Sequence, residues 1–332
     1  MKRTNNHTIL IFLAFISIYI VWGTTFLAIH YGLKGFPPFL LSGFRFFIAG
    51  ILLLGWLYLK GERPFSLKAW KRNSISGFLI LTIGVGSVTW AEQYISSTEA
   101  AIIIASEPFW FIVVDKKNRS FYFSNKVAIS GLLLGFIGLL LFFKDSLLHS
   151  GAGEFAGIRI IAFMLLVFTA LVWVLGSLYS KKPTGESLFM NVSQQLIIGG
   201  ISSLIIASIS GEWSAFNPAK IPAEAWIGLI YLIVFGSIIA YLSFIWLLSV
   251  KPPALVSTHT FINPIVAVVA GAVIAHETIS SGQLTGVATI IAGVILTNIV
   301  QYKLPKRTQV HIRKTTRIFT NSFVYKRVLN FK

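Results

Sequence analysis

Long apolar runs recur along the whole of this 332-residue chain. Ten stretches of about 20 mostly apolar residues follow one another, separated by short polar or proline-containing turns. A helix of this length matches the hydrocarbon thickness of a bilayer. Only 12% of the residues are charged, against about 25% in soluble domains, so the outer surface must be apolar as well. The sequence therefore predicts an all-α polytopic membrane protein.

The predicted spans are residues 9–29, 38–59, 73–91, 97–115, 125–143, 157–179, 188–210, 223–247, 253–275 and 281–302. The first span follows a basic N-terminus, as the apolar region of a signal peptide would. Its apolar run continues to Ile29 with no small-residue cleavage site, so we expect it to be retained as a helix. A basic tail follows at 303–332, which either lies on an anionic membrane surface or stays disordered.

Lysine and arginine are distributed unequally between the two ends of these spans. Of the 28 basic residues, 23 lie on the side of the N-terminus, four lie on the opposite side, and Arg45 lies inside a span. Cytoplasmic loops carry the excess of lysine and arginine. The asymmetry predicts that both termini are cytoplasmic. The net charge of +17 is therefore a topology signal and a contact with anionic membrane lipid, and we expect no nucleic-acid partner.

The two halves of the chain resemble each other. Three pairs of segments match at spacings of 150 to 156 residues: GFRFFIAG with VSQQLIIGG, EPFWFIVV with NPIVAVVA, and GLLLGFIG with GVATIIAG. Each half holds five spans, an odd number, so the halves lie in the membrane in opposite orientations. Inverted repeats are typical of secondary transporters, which open a central site alternately to each side. We predict two inverted five-helix repeats, at 9–143 and 157–302, followed by a cytoplasmic tail at 303–332.

Four segments carry a resemblance to a known family: VWGTTFLAIHYGLKGFPPFLLSGFRFFIAG (21–50), AEQYISSTEAAIIIASEPFW (91–110), YLIVFGSIIAYLSFIWLL (231–248) and INPIVAVVAGAVIAHETISSGQLTGVATIIAGVIL (262–296). Together they resemble the EamA-domain carriers of the drug/metabolite transporter superfamily, especially the bacterial drug/metabolite exporters. The resemblance implies ten helices in the cell membrane and a central cavity lined by the first four helices of each half. It also implies export of small metabolites, amino acids or drugs.

Arg45 lies about seven residues, or roughly 10 Å, inside the second span. An arginine at this depth costs a few kcal/mol or more, so it should face a cavity or a partner. We expect it to bind a carboxylate or phosphate group of the substrate, together with Gln195, its equivalent in the second half. The alternative is a structural role, in which Arg45 pairs with a carbonyl group or extends outward to the interface.

Glu107 and Pro108 lie together near the middle of the fourth span. We expect Glu107 to couple transport to protons, by binding a proton on one side and releasing it on the other. A permanent ion pair with Arg45, or a permanently protonated carboxyl against a backbone carbonyl, are the alternatives. Pro108 and its equivalent Pro264 are predicted to kink the fourth and ninth helices. The kinks either expose carbonyls at a site or serve packing.

Aromatic and polar residues inside the spans are further candidates. Tryptophan usually lies at the membrane interface, so tryptophans deep in the spans favour a cavity for apolar or cationic groups, although packing explains any single one. Besides Arg45 and Gln195, the predicted substrate-binding residues are Trp22, Thr25, Trp110, Trp173, Tyr241 and Asn263. Weaker candidates, which are donors or acceptors that also join helices, are Thr24, Ser177, Gln194 and His259.

The chain lacks the motifs of enzymes and of ATP-driven pumps. It has no Walker A loop, no HExxH, no GxSxG and no cysteine, and its six histidines are scattered. We therefore expect no enzyme activity, no cofactor and no metal. The predicted function is proton-coupled export of a small organic solute. An importer or facilitator is the first rival, and a membrane-embedded lipid-modifying enzyme or a receptor-like protein is the rival from another class.

Glycines recur in the fifth and tenth spans, in GLLLGFIG (131–138) and GQLTG (282–286). Small residues spaced in this way let helix backbones approach closely. These faces predict either close packing of helices or a homodimer.

Overall fold

The structure is a computed structural model that describes residues 2–62, 66–95, 100, 103–116, 124–142, 144, 156–275 and 281–301. Over these ranges the chain consists of helices and short connections, without a β-strand. Six helices are long and apolar enough to cross a membrane: His7–Leu33, Pro38–Leu59, Leu67–Ala91, Gly157–Ser180, Leu188–Ile209 and Ala223–Val250. The protein is therefore an all-helical polytopic membrane protein, as the sequence predicts. The predicted tail at 303–332 lies outside the described residues.

In chain order the main helices are α1 (Lys2–Ile16, continued through Ser17–Val21 into Trp22–Leu33), α2 (Pro38–Leu59), α3 (Leu67–Gly77, continued through Phe78–Gly86 into Ser87–Ala91), α4 (Glu107–Val114), α5 (Lys126–Phe142), α6 (Ala156–Ser180), α7 (Leu188–Ile209), α8 (Ala223–Tyr231, continued through Leu232–Ala240 into Tyr241–Val250), α9 (His259–Ala275) and α10 (Ser281–Gln301). Three short helices lie in the connections before and after α8: Glu212–Ala215, Pro218–Lys220 and Pro253–Val256.

Local sequence signals define where several helices begin. Pro38 occupies the first turn of α2, where its missing N–H costs nothing because that position has no intrahelical partner. Ser66 Oγ accepts a hydrogen bond from Ala69 N at the start of α3, and Ser187 Oγ accepts one from Met190 N at the start of α7. Each serine satisfies an amide that the first turn of a helix leaves unpaired.

Three of the membrane helices contain a π-helical segment. These segments are Ser17–Val21 in α1, Phe78–Gly86 in α3 and Leu232–Ala240 in α8. α3 and α8 are the third helix of each half, so two of the three segments lie at matching places in the repeat. A π-helical turn displaces backbone carbonyls from the α-helical pattern and is frequent at functional sites.

The fourth predicted span is interrupted. Residues 103–104 are helical, a turn follows at 105–106, and α4 begins at Glu107. Pro108 therefore lies in the first turn of α4, where proline is tolerated. Because proline has no N–H and its ring clashes with the carbonyl four residues earlier, the turn at 105–106 lies in the segment that Pro108 disrupts. The fourth helix is thus interrupted next to Pro108, where the sequence predicts a kink within a continuous helix. Pro264 lies inside α9, where its ring removes one backbone hydrogen bond.

α2 packs along α7, and this contact joins the two halves of the chain. A Cβ atom on Gly50 would lie 2.7 Å from Ile197 N, and one on Gly200 would lie 2.6 Å from Phe47 Cα. Phe47 and Ile197 are 150 residues apart, as are Gly50 and Gly200. The same contact is thus made twice, with the halves exchanged, as in an isologous interface.

α5 and α10 pack against each other in the same reciprocal way. A Cβ on Gly138 would lie 3.0 Å from Gly286 O, and one on Gly293 would lie 2.6 Å from Gly131 O. These four glycines are buried. The faces that we considered for a homodimer therefore face each other within one chain, and they serve the close packing of helices instead.

Loop residues join the halves at the end of the bundle that carries the α1–α2 connection. The Glu212 carboxylate accepts hydrogen bonds from Phe39 N (3.2 Å) and Leu40 N (2.9 Å) at the start of α2, where helix amides lack partners. Burial raises the pKa of Glu212, and these two hydrogen bonds oppose the rise. Lys34 forms an ion pair of 3.2 Å with Glu224, at the start of α8.

Gly293→Ala should destabilise the fold because the new methyl group meets a backbone oxygen that cannot move aside. Overpacking of this kind costs about 1–3 kcal/mol, so we expect a lower midpoint of thermal unfolding in detergent. Gly55→Ala is the matched control, since no atom lies within 4 Å of a Cβ at that position on α2. Equal midpoints for the two variants would contradict the close approach of α5 and α10.

Candidate transport cavity

A cavity of about 120 Å³ lies among helices of both halves. α1, α2, α3 and α4 line it from the first half, and α6, α8 and α9 line it from the second. A water molecule occupies about 30 Å³ in the liquid, so the volume corresponds to roughly four waters or one small organic solute. α7 contributes no lining residue, although the family resemblance implies that it should.

The cavity lies near the middle of the helix bundle. From the first half of the chain, its lining residues occupy the second half of α1 (22–29) and of α3 (81–88) and the first half of α2, which lie towards the end that carries Lys34. From the second half of the chain, they occupy the second half of α6 and the first half of α9, which lie towards the basic loops.

Arg45 lines the cavity and is buried, with 4% of its surface exposed. Its Nε donates a hydrogen bond of 3.2 Å to Ser237 Oγ, and its guanidinium carbon lies 4.7 Å from the centre of the Phe46 ring. Among the described residues no carboxylate lies within 4.0 Å of it. The protein thus holds the side chain in place and leaves its charge unneutralised.

Glu107 lines the same cavity and is 3% exposed. Its Oε2 atom is buried and has no hydrogen-bond partner in the described part of the chain. The ion pair with Arg45, which we considered from the sequence, is absent from this conformation, since the ion pair found among the described residues joins Lys34 to Glu224. The site therefore contains a cation and a carboxyl group that do not satisfy each other.

Four rings form an aromatic cluster at the cavity: Trp22, Trp173, Phe244 and His259. Trp22 lies at its centre, with ring centres 4.8 Å from His259, 5.1 Å from Phe244 and 5.7 Å from Trp173. Trp22 Nε1 donates to Gly236 O at 3.2 Å, within the π-helical segment of α8. This bond fixes the indole, so the cluster presents a rigid apolar wall.

Tyr241 lines the cavity, whereas Gln195 lies behind it. Tyr241 donates a hydrogen bond of 2.6 Å to Gln195 Oε1, and Gln195 Nε2 donates to Asn73 Oδ1 at 3.2 Å. Gln195 is completely buried and outside the cavity wall. The geometry corrects its predicted contact with substrate, because Gln195 instead orients the Tyr241 hydroxyl.

Two predicted binding residues donate hydrogen bonds to backbone carbonyls of the cavity wall. Asn263, with its amide nitrogen towards α1, donates to Ile18 O (3.1 Å), Tyr19 O (3.0 Å) and His259 O (3.0 Å). Ile18 and Tyr19 belong to the π-helical segment of α1. Thr25 Oγ1 donates to the carbonyl of Trp22 at 2.6 Å. Both side chains line the cavity, but these polar atoms already have partners.

Trp110 lies outside the cavity and packs on the apolar cluster around Phe111 and Phe261. Its predicted contact with substrate is corrected by this position. Thr169, which is not among the residues predicted from the sequence, also lines the cavity on α6, and its buried hydroxyl has no partner among the described residues. Its spacing of four residues from Trp173 was the available signal, because such residues share a helix face. The described residues contain no group of acidic, histidine or cysteine side chains that could hold a metal.

An amide cluster closes the bundle between the cavity and the basic loops; it consists of Asn73, Asn191, Gln194 and Gln195. Asn73 Nδ2 donates to Asn191 Oδ1 (2.8 Å) and Gln194 Oε1 (2.7 Å), and Thr184 donates to Asn191 Oδ1 at 2.7 Å. Hydrogen bonds thus continue from the cavity wall to the α6–α7 loop. Since Asn73 belongs to the first half and the other three to the second, the cluster ties the halves together.

Neighbouring loop residues reinforce this closure. Ser187 donates a hydrogen bond of 2.7 Å to Glu62 Oε2, and Arg72 donates to the Pro183 carbonyl. Burial and the nearby Glu62 carboxylate raise the pKa of Glu186. The basic side of the bundle is therefore held by several polar contacts between the halves.

The sequence profile of the EamA-like transporter family matches residues 8–144 and 160–299, which is most of the chain. The chain belongs to the EamA-like transporter family. It is therefore a multi-pass membrane transporter, as the resemblance in its motifs implies. Its two matched segments correspond to the two halves that make the reciprocal contacts.

Several relatives match nearly end to end. YedA of Escherichia coli, named an uncharacterized inner membrane transporter, is 29% identical over 90% of this chain and 93% of YedA. YvbV of Bacillus subtilis, named an uncharacterized transporter, is 27% identical over 90% of this chain and 94% of YvbV. A probable amino-acid metabolite efflux pump of Escherichia coli is 23% identical over 84% of this chain and 91% of the pump.

One solved crystal structure superposes with a TM-score of 0.69, covering 88% of this chain and 97% of that chain at 15% identity. At this level of identity the likeness shows the fold alone.

The pair Tyr241–Gln195 should behave as one stabilising unit. Gln195→Leu leaves the Tyr241 hydroxyl and Asn73 Oδ1 without partners, at a cost of about 1–3 kcal/mol. Adding Tyr241→Phe should then cost less than it does in the wild-type background, because residues in one hydrogen-bond network are not additive. Thermal unfolding of the two single variants and the double variant measures this coupling. Gln93→Leu, at an exposed position, is the control, and additive losses would refute the interaction.

Proposed function

We propose that this EamA-family protein is a proton-coupled exporter of small organic solutes in the cell membrane. The observation that carries the proposal is the single cavity that holds Arg45 and Glu107, each buried and neither neutralised by the other. A buried charge with no internal partner is expensive in a membrane protein and marks a substrate or ion pathway.

The reciprocal contacts of α2 with α7, and of α5 with α10, support two inverted repeats of five helices, at 9–143 and 157–302. A contact that exchanges the halves requires a two-fold relation between them, and an odd number of spans per half then inverts their orientation. Ten spans, cytoplasmic termini and alternating access complete the proposal, as in carriers built from inverted repeats. The excess of basic residues on the side of the N-terminus supports the same orientation.

Arg45 is the proposed binding group for an anionic part of the solute. Guanidinium groups bind carboxylates with strong, charge-assisted hydrogen bonds, and Ser237 and Phe46 hold Arg45 in position. The relative named a probable amino-acid metabolite efflux pump favours amino-acid metabolites as solutes. The aromatic cluster supplies the wall against which an apolar part of the solute packs.

Glu107 is the proposed proton carrier. Its Oε2 atom has no hydrogen-bond partner among the described residues, so the carboxyl group is best accommodated protonated when the cavity is closed and ionised when water reaches it. Proton binding and release at this residue would couple the proton gradient to the opening of the cavity. The inner-membrane location in the name of the relative YedA is consistent with a protein that uses such a gradient.

Replacing Glu107 should abolish the coupling of transport to protons without abolishing the binding of the solute. Glu107→Gln mimics the protonated carboxyl, so exchange of a radiolabelled mixture of protein amino acids across proteoliposomes should persist. Accumulation of the same mixture driven by a pH gradient should fall to the level seen without a gradient. Glu224→Gln is the control, because Glu224 is exposed and pairs with Lys34 at the surface. Unchanged dependence on pH in Glu107→Gln would refute proton coupling at this residue, and uptake without any dependence on pH in the wild type would indicate a facilitator.

Arg45→Gln should weaken the binding of carboxylate-bearing solutes. A hydrogen bond to a charged group contributes about 1.5–3 kcal/mol, so we expect KM for the amino-acid mixture to rise about ten- to hundredfold. Initial rates of exchange as a function of concentration measure this change. A KM that is unaltered while only the folded yield falls would assign Arg45 to structure.

A further inference from the structure

Three residues on one face of α6 share an unusual property. Thr169, Trp173 and Ser177 follow one another at intervals of four residues, so they lie in a row along the helix. Thr169 Oγ1, Trp173 Nε1 and Ser177 Oγ are each buried and lack a hydrogen-bond partner among the described residues. The side chains are between 0% and 8% exposed.

Packing alone does not account for this row. A buried polar atom without a partner costs about 1–3 kcal/mol, and a hydroxyl in a helix normally bonds the carbonyl four residues earlier. Thr89 does so with Val85 O at 3.0 Å, and Ser208 with Leu204 O at 2.9 Å. Among the described residues, the Thr169 and Ser177 hydroxyls lack such a bond, and the Trp173 N–H between them on the same face also lacks a partner. This combination indicates that something outside the helix supplies the partner.

The row begins in the cavity and leads out of it. Thr169 and Trp173 line the cavity together with Glu107, whereas Ser177 lies one turn, about 6 Å, further along α6 and beyond the lining. That direction leads towards the α6–α7 loop and the basic side. α6 packs there against α3, where a Cβ on Gly176 would lie 2.7 Å from Ile80 Cγ1. The cavity does not extend to Ser177 in this conformation.

The position of the Trp173 ring is defined by its surroundings. A Cβ on Gly84 would lie 2.8 Å from Cε3 of Trp173, so α3 leaves room for the ring only because residue 84 is glycine. The ring also contacts Trp22 at 5.7 Å and Phe244 at 5.4 Å between ring centres. An indole held on both sides keeps in a fixed place its N–H, which is buried and lacks a partner among the described residues.

We propose that Thr169, Trp173 and Ser177 form a hydrogen-bonding track for the transported solute. The solute binds Thr169 and Trp173 in the cavity, and it reaches Ser177 when the protein opens to the basic side. The proposal rests on the transport function argued above and specifies its substrate class. The indole N–H only donates, so it needs an oxygen acceptor, and Arg45 needs a second, anionic one. The expected solutes are small carboxylates that carry a further amide, carbonyl or hydroxyl oxygen.

Asparagine and leucine test this substrate class, because they have similar shapes and differ in an amide against two methyl groups. We expect wild-type proteoliposomes to exchange radiolabelled L-asparagine faster than L-leucine. Trp173→Phe keeps a ring and removes the N–H, so the ratio of the two rates should fall about three- to tenfold. Trp56→Phe, on α2 against Phe189, should leave the ratio unchanged. An unaltered ratio in Trp173→Phe, or a wild type that prefers leucine, would overturn the proposal.

The absence of cysteine from the chain permits a second test, which needs no measurement of transport. Ser177→Cys should react with a membrane-impermeant maleimide applied from the basic side, and L-asparagine should slow the labelling of Thr169→Cys. Ser203→Cys is the matched control, since Ser203 on α7 is also buried and unpartnered but lies outside the cavity. Ser177→Cys that is as unreactive as Ser203→Cys would overturn the track.

Failure of the proposed transport function and failure of the hydrogen-bonding track give different results. Wild-type proteoliposomes that exchange no amino acid at all would contradict the proposed function. Wild-type exchange with an unaltered asparagine-to-leucine ratio in Trp173→Phe, and with an unreactive Ser177→Cys, would contradict the track while leaving the transporter intact.

Discussion

Close backbone packing between the halves is the constraint on which the rest of this transporter depends. Lipid tails are as apolar as leucine, so helices in a membrane associate through van der Waals contact at small residues. Gly50 and Gly200 let α2 meet α7, and Gly138 and Gly293 let α5 meet α10. These two contacts form a frame, of which α2 alone contributes to the cavity wall, through Arg45 and Phe46.

The irregular backbone is concentrated in helices outside that frame. The π-helical segments lie in α1, α3 and α8, and a turn interrupts the chain before α4. In lipid a displaced carbonyl needs a partner within the protein. Asn263 supplies it for the segment of α1, and Trp22 for Gly236 in the segment of α8. Two residues of the cavity wall therefore make the irregularity possible.

Depth in the membrane could be predicted from the sequence, but the direction of a side chain could not. Apolar length and basic loops predicted the helices, and polarity inside the spans identified Arg45 and Glu107. Gln195 lies as far from the start of α7 as Arg45 lies from the start of α2. It nevertheless lies behind Tyr241, because Asn73 and the tyrosine hydroxyl satisfy its amide. The break at 105–106 lies in the turn before Pro108, where proline removes a helix hydrogen bond, so the proline predicts its place but not whether the helix bends or is interrupted.

The two halves differ at the positions where charge would be most costly. Arg45 corresponds to Gln195 and Glu107 to Asn263, so each of these two charged residues has an amide as its equivalent. Both amides bond to the protein itself, whereas Arg45 and Glu107 line the cavity without an ion pair between them. Full symmetry would bury four ionisable groups in about 120 Å³, and each one is costly in a membrane. An amide at the equivalent position keeps the helix contacts and adds no charge, which leaves one cation and one carboxyl group at the cavity.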